Sequence, residues 1–194
     1  MTFSFPGRHL LCAAALLAAA AAGAEPVTPA KLLPAQSQIV FVSRQMGVPV
    51  EGSFKKFDAQ VAFDPRKPEG GSVALQIEVA SASLGIPQSD AELPKAAWFD
   101  SQHFPKAEFR SSTIKALGGG RFEIAGKLTI KGSTRDALVP VEITQSAGQS
   151  TASGSLTIQR LAYKIGDGEW TDTSVVADDV QVRFKLVLAG LGPL

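Results

Sequence analysis

The residue types that most often carry chemistry are scarce in this sequence. Cys12 is the only cysteine, and the two histidines are His9 and His103. A disulfide within the chain needs two cysteines, and a closed Cys/His metal site needs four ligands. These residues supply neither. A Ser-His-Asp arrangement would have to use His103, which lies between Gln102 and Phe104 without the flanking motif of a nucleophile elbow. We therefore expect no metal, no cofactor and an ordinary surface or capping histidine at position 103.

Two further segments are similar to ligand loops without matching them. The stretch from Asp167 to Asp179 carries five carboxylates but lacks the alternating ligands and bidentate glutamate of a calcium loop. Gly118-Gly119-Gly120 is not followed by the Gly-Lys-Ser/Thr of a phosphate loop. We expect a solvated loop and a hairpin turn. A hydrolase that uses an unrecognised pair of carboxylates stays open as an alternative.

The first 24 residues are typical of an export signal. Arg8 precedes an apolar run from Leu10 to Ala22, and the small residues up to Ala24 suit cleavage. The run is shorter than the roughly 20 apolar residues that span a bilayer. We expect residues 1–24 to be a signal peptide cleaved near Ala24, and residues 25–194 to be a single domain in the periplasm.

Charge disfavours one class of partner. The sequence holds 19 basic and 18 acidic residues, and removal of the predicted signal peptide takes away Arg8 and no acid. The expected mature chain then has no formal net charge. Nucleic-acid binding through a basic surface is therefore not expected.

The elements that would position any site are strands. Between Ile39 and Leu188 apolar and polar residues alternate with period two, most clearly over residues 180–188. Short turn-forming segments separate the runs and favour antiparallel neighbours. Between Ser89 and Ser101, Ser89 or Asp90 is placed to cap a short helix. About eight strands and one short helix predict an all-β fold, and a closed barrel is favoured over a sandwich because closure removes the sheet edges.

Four segments, in order along the chain, resemble the YceI-like family of periplasmic, lipocalin-like barrels. They are Ser37-Gln38-Ile39-Val40-Phe41 with Met46-Gly47; Trp98-Phe99-Asp100 with Phe104-Pro105-Lys106-Ala107-Glu108-Phe109-Arg110-Ser111; Gly126-Lys127-Leu128-Thr129-Ile130-Lys131-Gly132 with Leu138-Val139-Pro140-Val141; and Arg160 with Gly166 and Asp179-Val180-Gln181-Val182. The resemblance covers nearly all of residues 25–194. It implies an antiparallel lipocalin-like β-barrel of about eight strands that holds an isoprenoid chain.

The apolar strand faces supply the predicted lining of that interior. The residues are Phe41, Phe54, Phe57, Phe63, Leu75, Ile77, Leu128, Ile130, Val141, Ile143, Phe184 and Leu186. The predicted mouth consists of Trp98, Arg160, Tyr163 and Trp170, since aromatic side chains with one polar atom suit a rim between a dry tail and a wet head group. The residues alone do not separate a ligand cavity from a filled core.

The resemblance implies a periplasmic binding or carrier protein for an isoprenoid lipid or quinone, with no catalysis on the ligand. One alternative is an interaction module associated with a b-type cytochrome or other membrane redox protein, because some family members are linked with such cytochromes. The other is the hydrolase. A homodimer is also left open.

Overall fold

The computed structural model describes residue 1 and residues 29–194. The expected signal peptide, apart from Met1, and its cleavage position near Ala24 lie outside the described residues. Within the described part of the chain no helix is long and apolar enough to cross a membrane.

The described residues form one antiparallel sheet of eleven strands. The strands are β1 (Ala30–Leu32), β2 (Gln38–Gln45), β3 (Val48–Phe54), β4 (Phe57–Asp64), β5 (Lys67–Glu78), β6 (Ala82–Ser83), β7 (Lys106–Gly118), β8 (Arg121–Ile130), β9 (Ser133–Ser146), β10 (Gln149–Gln159) and β11 (Asp179–Ala189). The helix is α1 (Pro87–Asp90), and 3-10 turns occupy Pro34–Gln36, Val79–Ser81, Arg160–Tyr163 and Gly168–Thr171.

Eight of these strands close into a ring. Their order is β1-β4-β5-β7-β8-β9-β10-β11, and β11 returns to β1 through the pairs Lys31 with Ala189 and Leu32 with Leu188. The first half of β11 pairs instead with β2, which continues into β3 and β6. The predicted closed antiparallel barrel of eight strands with one short helix is confirmed.

Alternation along the strands positions the interior. In β4, Ala59, Val61 and Phe63 are buried, and in β8 the same is true of Phe122 and Ile124. Residues two apart along a strand share one face, so these side chains point into the barrel. The alternating runs over residues 57–63 and 121–130 of the sequence correspond closely to β4 and β8.

Two local predictions were wrong. The helix begins at Pro87 and ends at Asp90, and turns follow it, whereas the helix was expected between Ser89 and Ser101. Asp90 does not cap a helix; its carboxylate accepts hydrogen bonds from the Ser83 hydroxyl and the Leu84 amide at 2.8 and 2.6 Å.

Gly70-Gly71 has the composition of a turn but lies inside β5. The side chain of Phe63 on the neighbouring strand occupies the space where a Cβ of Gly71 would lie. Glycine is therefore required at position 71 by close packing rather than by a turn.

Candidate functional site

The barrel encloses a cavity of about 160 Å³. Every residue that lines it is apolar, and Ala59, Phe109 and Ala152 meet there from three different strands. An apolar cavity of about 150 Å³ in another protein stays dry and takes up small apolar molecules. The interior is therefore suited to hold apolar atoms.

Eleven of the twelve side chains predicted for the lining face this cavity. They are Phe41, Phe54, Phe63, Leu75, Ile77, Leu128, Ile130, Val141, Ile143, Phe184 and Leu186. Phe57 packs against the same apolar core but lines an open groove of about 810 Å³, beside Lys56 and Asp58. The cause is the short β1, which pairs with β4 only at Gln60 and Val61 and leaves the first residues of β4 beyond the closed part of the wall.

Three aromatic rings of the lining lie over glycines of a neighbouring strand. Phe41 covers Gly52, Phe109 covers Gly126, and Phe184 covers Gly154. A Cβ at any of these glycines would collide with the ring, so the absence of a side chain lets each ring lie against the wall. The sequence reasoning missed this arrangement, although a glycine inside a strand is a signal of close approach.

A second cavity, of about 300 Å³, lies at the end of the barrel where β2 and β10 finish and β11 begins. Phe41 and Val180 line both cavities, so the two are neighbours. The second cavity is also mainly apolar, but its wall includes Ser43, Gln45 and Glu92. One end of the apolar interior is therefore flanked by a site with polar groups.

The structure brings three of the four predicted mouth residues together. Trp98, Arg160 and Trp170 line the second cavity, and the two tryptophan rings have centroids 5.5 Å apart at an angle of 44°. Tyr163 is buried in an apolar cluster that packs against Trp98 and does not line either cavity. Burial raises the pKa of the Tyr163 phenol, and the charge of Arg135 opposes that rise.

Arg160 holds the loop 160–178 in place. It is 2% exposed, and its guanidinium donates to the main-chain oxygens of Ile165, Gly166, Trp170, Val176 and Ala177. A guanidinium has five N–H donors, and five carbonyls take them. Burial lowers the pKa of Arg160, whereas Asp178 and Asp167 raise it. Arg160 is therefore a structural centre of the loop and has no donor left for a ligand.

Lys131 joins two loops at the same end of the barrel. Its side chain is 7% exposed, and its ammonium donates to the carbonyls of Ala96 and Lys164 at 2.7 and 2.6 Å and contacts Asp167 at 3.3 Å. The carbonyl of Ala97 accepts the amides of Gly166 and Asp167. The segment that carries Trp98 is thus fastened to the loop that carries Trp170.

The predicted surface histidine and the interior cavity lie apart. His103, with 71% of its side chain exposed, has its Nδ1 2.9 Å from a carboxylate oxygen of Asp100. Among the described residues no three His, Cys, Asp or Glu side chains are placed to hold a metal ion. The interior lining itself contains no acid, base or nucleophile.

The model of the YceI-like domain matches residues 31–188. The chain belongs to the YceI-like family. The resemblance inferred from the four sequence segments is thereby confirmed.

Relatives and solved structures agree with the assignment to the YceI-like family. The crystal structure of BcnA from Burkholderia cenocepacia is 46% identical, with a TM-score of 0.78, and covers 81% of this chain and 99% of BcnA. A polyisoprenoid binding domain from Saccharophagus degradans, implicated in plant cell wall breakdown, has a TM-score of 0.69 at 17% identity over 86% of this chain and 99% of that domain, which shows the fold alone. A UPF0312 protein of Vibrio cholerae is 28% identical over 105 residues, 54% of this chain and 55% of the relative. The chain thus spans about half the length of the curated relatives it matches.

Proposed function

We propose that this YceI-like protein is a periplasmic carrier that holds the isoprenoid tail of a lipid or quinone inside its barrel and performs no chemistry on it. The observation that carries the proposal is the interior cavity with its wholly apolar lining. The Saccharophagus degradans domain, a polyisoprenoid binding domain, has the same fold. Export through residues 1–24 and the lack of a cofactor are part of the proposal.

The two cavities together suit a ligand with a tail and a head. Ligand sites usually measure about 300–1,000 Å³, and the interior alone, at about 160 Å³, is smaller than that. The neighbouring cavity of about 300 Å³ brings the combined space into this range. The tail occupies the interior, and the head group lies in the second cavity beside Trp98 and Trp170.

The head group is uncharged. Arg160, the cation beside the second cavity, has all its N–H donors taken by carbonyls. Glu92 lines the same cavity and is paired with Lys95 at 2.6 Å, so neither residue offers a phosphate an unpaired positive charge. Ser43 and Gln45 remain as neutral donors for carbonyl or hydroxyl oxygens. A quinone ring or an alcohol fits these groups better than a diphosphate.

The free energy of tail burial is sufficient for binding. Burial of ten methylene groups yields about 8 kcal/mol before the cost of immobilising the ligand. Because this driving force has no direction, selectivity comes from cavity length and from the few polar groups at the head.

The two tryptophans give a direct test. The chain has only Trp98 and Trp170, and both line the second cavity, so quenching of intrinsic fluorescence reports a ligand head there. Protein purified without detergent is extracted and the extract analysed by mass spectrometry. Lipid-free refolded protein is then titrated with prenyl quinones of increasing tail length and with a prenyl diphosphate.

We expect a stoichiometric prenyl lipid in the extract, quenching by quinones that strengthens with tail length, and little response to the diphosphate. An empty extract together with no quenching by any quinone would overturn the carrier role. Tight binding of the diphosphate alone would keep the tail site and overturn the uncharged head.

Among residues 29–194 the contacts of the two cavities do not favour the hydrolase. The lining of the interior has no carboxylate, and the carboxylate of Glu92 in the second cavity is paired with Lys95 at 2.6 Å. The association with a b-type cytochrome and the homodimer remain predictions.

A further inference from the structure

Four exposed apolar side chains lie in the wall of the second cavity or next to residues of that wall. Met46, Val48, Ile86 and Val175, here called the apolar rim, are 78%, 62%, 51% and 39% exposed. Met46 and Val175 line the cavity directly. Clustering of large exposed apolar side chains at one place marks a contact surface, whereas single ones do not.

Backbone contacts hold three members of the apolar rim together. The amide of Met46 donates to the carbonyl of Val175 at 2.8 Å, and Gln45 forms a β-bridge with Val176. Val48 is paired with Gln45 across the hairpin of β2 and β3. Ile86, the fourth member, lies between Leu84 and Ser89, which line the same cavity. The apolar rim is therefore drawn from three segments, each of which carries residues that line the second cavity.

Met46 occupies a backbone conformation that does not suit it. Its φ is 47° and that of Gly47 is 81°, a turn in which Asn, Asp or Gly is preferred at both positions. Because the side chain is largely exposed, its packing within the chain contributes little free energy to offset the backbone strain. A long apolar side chain presented in this way points to a contact outside the chain.

Acidic residues lie beside the apolar rim. The loop 166–179 holds five carboxylates and no lysine or arginine. The negative charges of two of them are offset by cations of the same chain, because Asp167 contacts Lys131 and Asp178 lies beside Arg160. The three that are exposed are Glu169, Asp172 and Asp179. The guanidinium of Arg44, the cation on the hairpin, donates to the carbonyl of Gly47.

We infer that the apolar rim and its acidic loop form the docking surface for a partner protein that presents cationic side chains around an apolar contact. The charge pattern favours this partner over two others. An anionic membrane surface repels exposed carboxylates. A face-to-face dimer through the rim brings the acidic loops of two copies together.

The apolar rim lies beside the second cavity, and this position gives a docked partner a role in ligand transfer. A partner seated on the apolar rim covers the opening of the second cavity, so that a ligand passes between the two proteins without crossing water. Docking itself does not depend on a ligand. The transfer step alone rests on the proposed function.

Site-specific photo-crosslinking in the producing cells tests the surface. Benzoylphenylalanine replaces Met46 in one variant and Leu138 in another; Leu138 is 56% exposed and lies on β9, outside the rim. Adducts are identified by mass spectrometry. The Met46 variant is also made with Glu169→Lys and Asp179→Lys, whose side chains are exposed, and as a control with Glu69→Lys and Glu142→Lys.

We expect a protein adduct at position 46 but not at 138, with the cross-linked peptide in a basic region of the partner. Glu169→Lys with Asp179→Lys should reduce this adduct at least about tenfold, whereas the control pair leaves it unchanged. No adduct, an adduct between two copies of this chain, an adduct with phospholipid, or indifference to the charge reversals would each overturn the inference. Co-sedimentation with vesicles of phosphatidylcholine and phosphatidylglycerol would do the same. Because no assay here measures ligand, these outcomes are separate from those of the carrier proposal.

Discussion

The ring of Phe41 lies against Gly52 of the neighbouring strand so closely that a Cβ at position 52 would come within 2.7 Å of the Cε2 atom of the ring. The two residues are directly paired in the ladder between β2 and β3. Phe184 and Gly154 repeat the arrangement between β10 and β11. Because the rings lie over glycines, they occupy the wall and leave space in the interior.

Gly52→Ala should therefore weaken ligand binding. The atoms nearest to the added Cβ belong to the side chains of Phe41 and Leu84, so the ring must move. Phe41 lines both cavities, and its displacement narrows their junction. We expect affinity for a prenyl quinone to fall about tenfold and stability to fall by about 1–3 kcal/mol. Tryptophan quenching and chemical denaturation measure the two effects.

Gly70→Ala is the matched control for Gly52→Ala. Gly70 also lies within a strand, has no positive φ, and nothing stands within 4 Å of an added Cβ. Its binding and stability should stay close to those of the unmodified protein. Equal loss of affinity in the two variants would show that the cavity does not depend on the position of the Phe41 ring.

Ala152→Leu should shorten the tail that the barrel accepts. Ala152 is buried and lines the interior cavity, so the larger side chain takes up part of its volume. We expect affinity to fall more for long prenyl tails than for short ones, because the lost space is far from the head group. A loss of about 1–3 kcal/mol in stability accompanies the overpacking.

Ala62→Leu provides the comparison for Ala152→Leu. Ala62 lies between Val61 and Phe63 on β4, both of which face inward, so its own side chain faces outward. Binding of every tail length should be unaffected. If the series of tail lengths responds in the same way to Ala62→Leu and Ala152→Leu, the tail is not held in the barrel.

Period-two alternation could predict the inward faces of β8 and β11, since a shift by one residue would turn every side chain to the other face. The alternation could not show whether the inward side chains fill the barrel or leave a cavity. The cavity depends on Phe41 meeting Gly52 and on Phe184 meeting Gly154, contacts between strands that no local pattern contains. Phe57 keeps the alternation, yet it lies at the open groove because β1 ends short of it.

The second cavity was harder to predict for a different reason. Trp98 and Trp170 are 72 positions apart in the numbering, and their loops are brought together by the Lys131 ammonium and by the carbonyl of Ala97, which accepts the amides of Gly166 and Asp167. The role of Arg160 depends on carbonyls spread over residues 165–177. Every residue type has a main-chain carbonyl, so the sequence does not indicate which ones accept these hydrogen bonds. Tyr163 follows Arg160 by three residues but is turned into the core by the 3-10 turn Arg160–Tyr163.

Arg160→Met should destabilise the protein strongly. The methionine fills part of the space but leaves main-chain carbonyls without donors, and each buried unsatisfied group costs about 1–3 kcal/mol. We expect a loss of at least about 3 kcal/mol in the free energy of unfolding, with faster hydrogen exchange in loop 160–178. Arg183→Met, which removes an exposed pair with Glu51, should cost less than about 1 kcal/mol. Similar losses in both variants would contradict the structural role of Arg160.

The contribution of a single buried phenol, that of Tyr163, to the pH dependence of stability can be measured. Tyr163 is the only tyrosine, so phenolate absorbance reports it alone. Burial raises its pKa in the folded state above the ordinary value near 10. Below the ordinary value the phenol is protonated in both the folded and the unfolded state. Above the ordinary value the unfolded state loses its proton first, so the free energy of unfolding falls as pH rises through the raised pKa. We expect native titration above the midpoint of the denatured chain and a smaller alkaline loss of stability in Tyr163→Phe. Coincident native and denatured midpoints would show that the phenol is not buried.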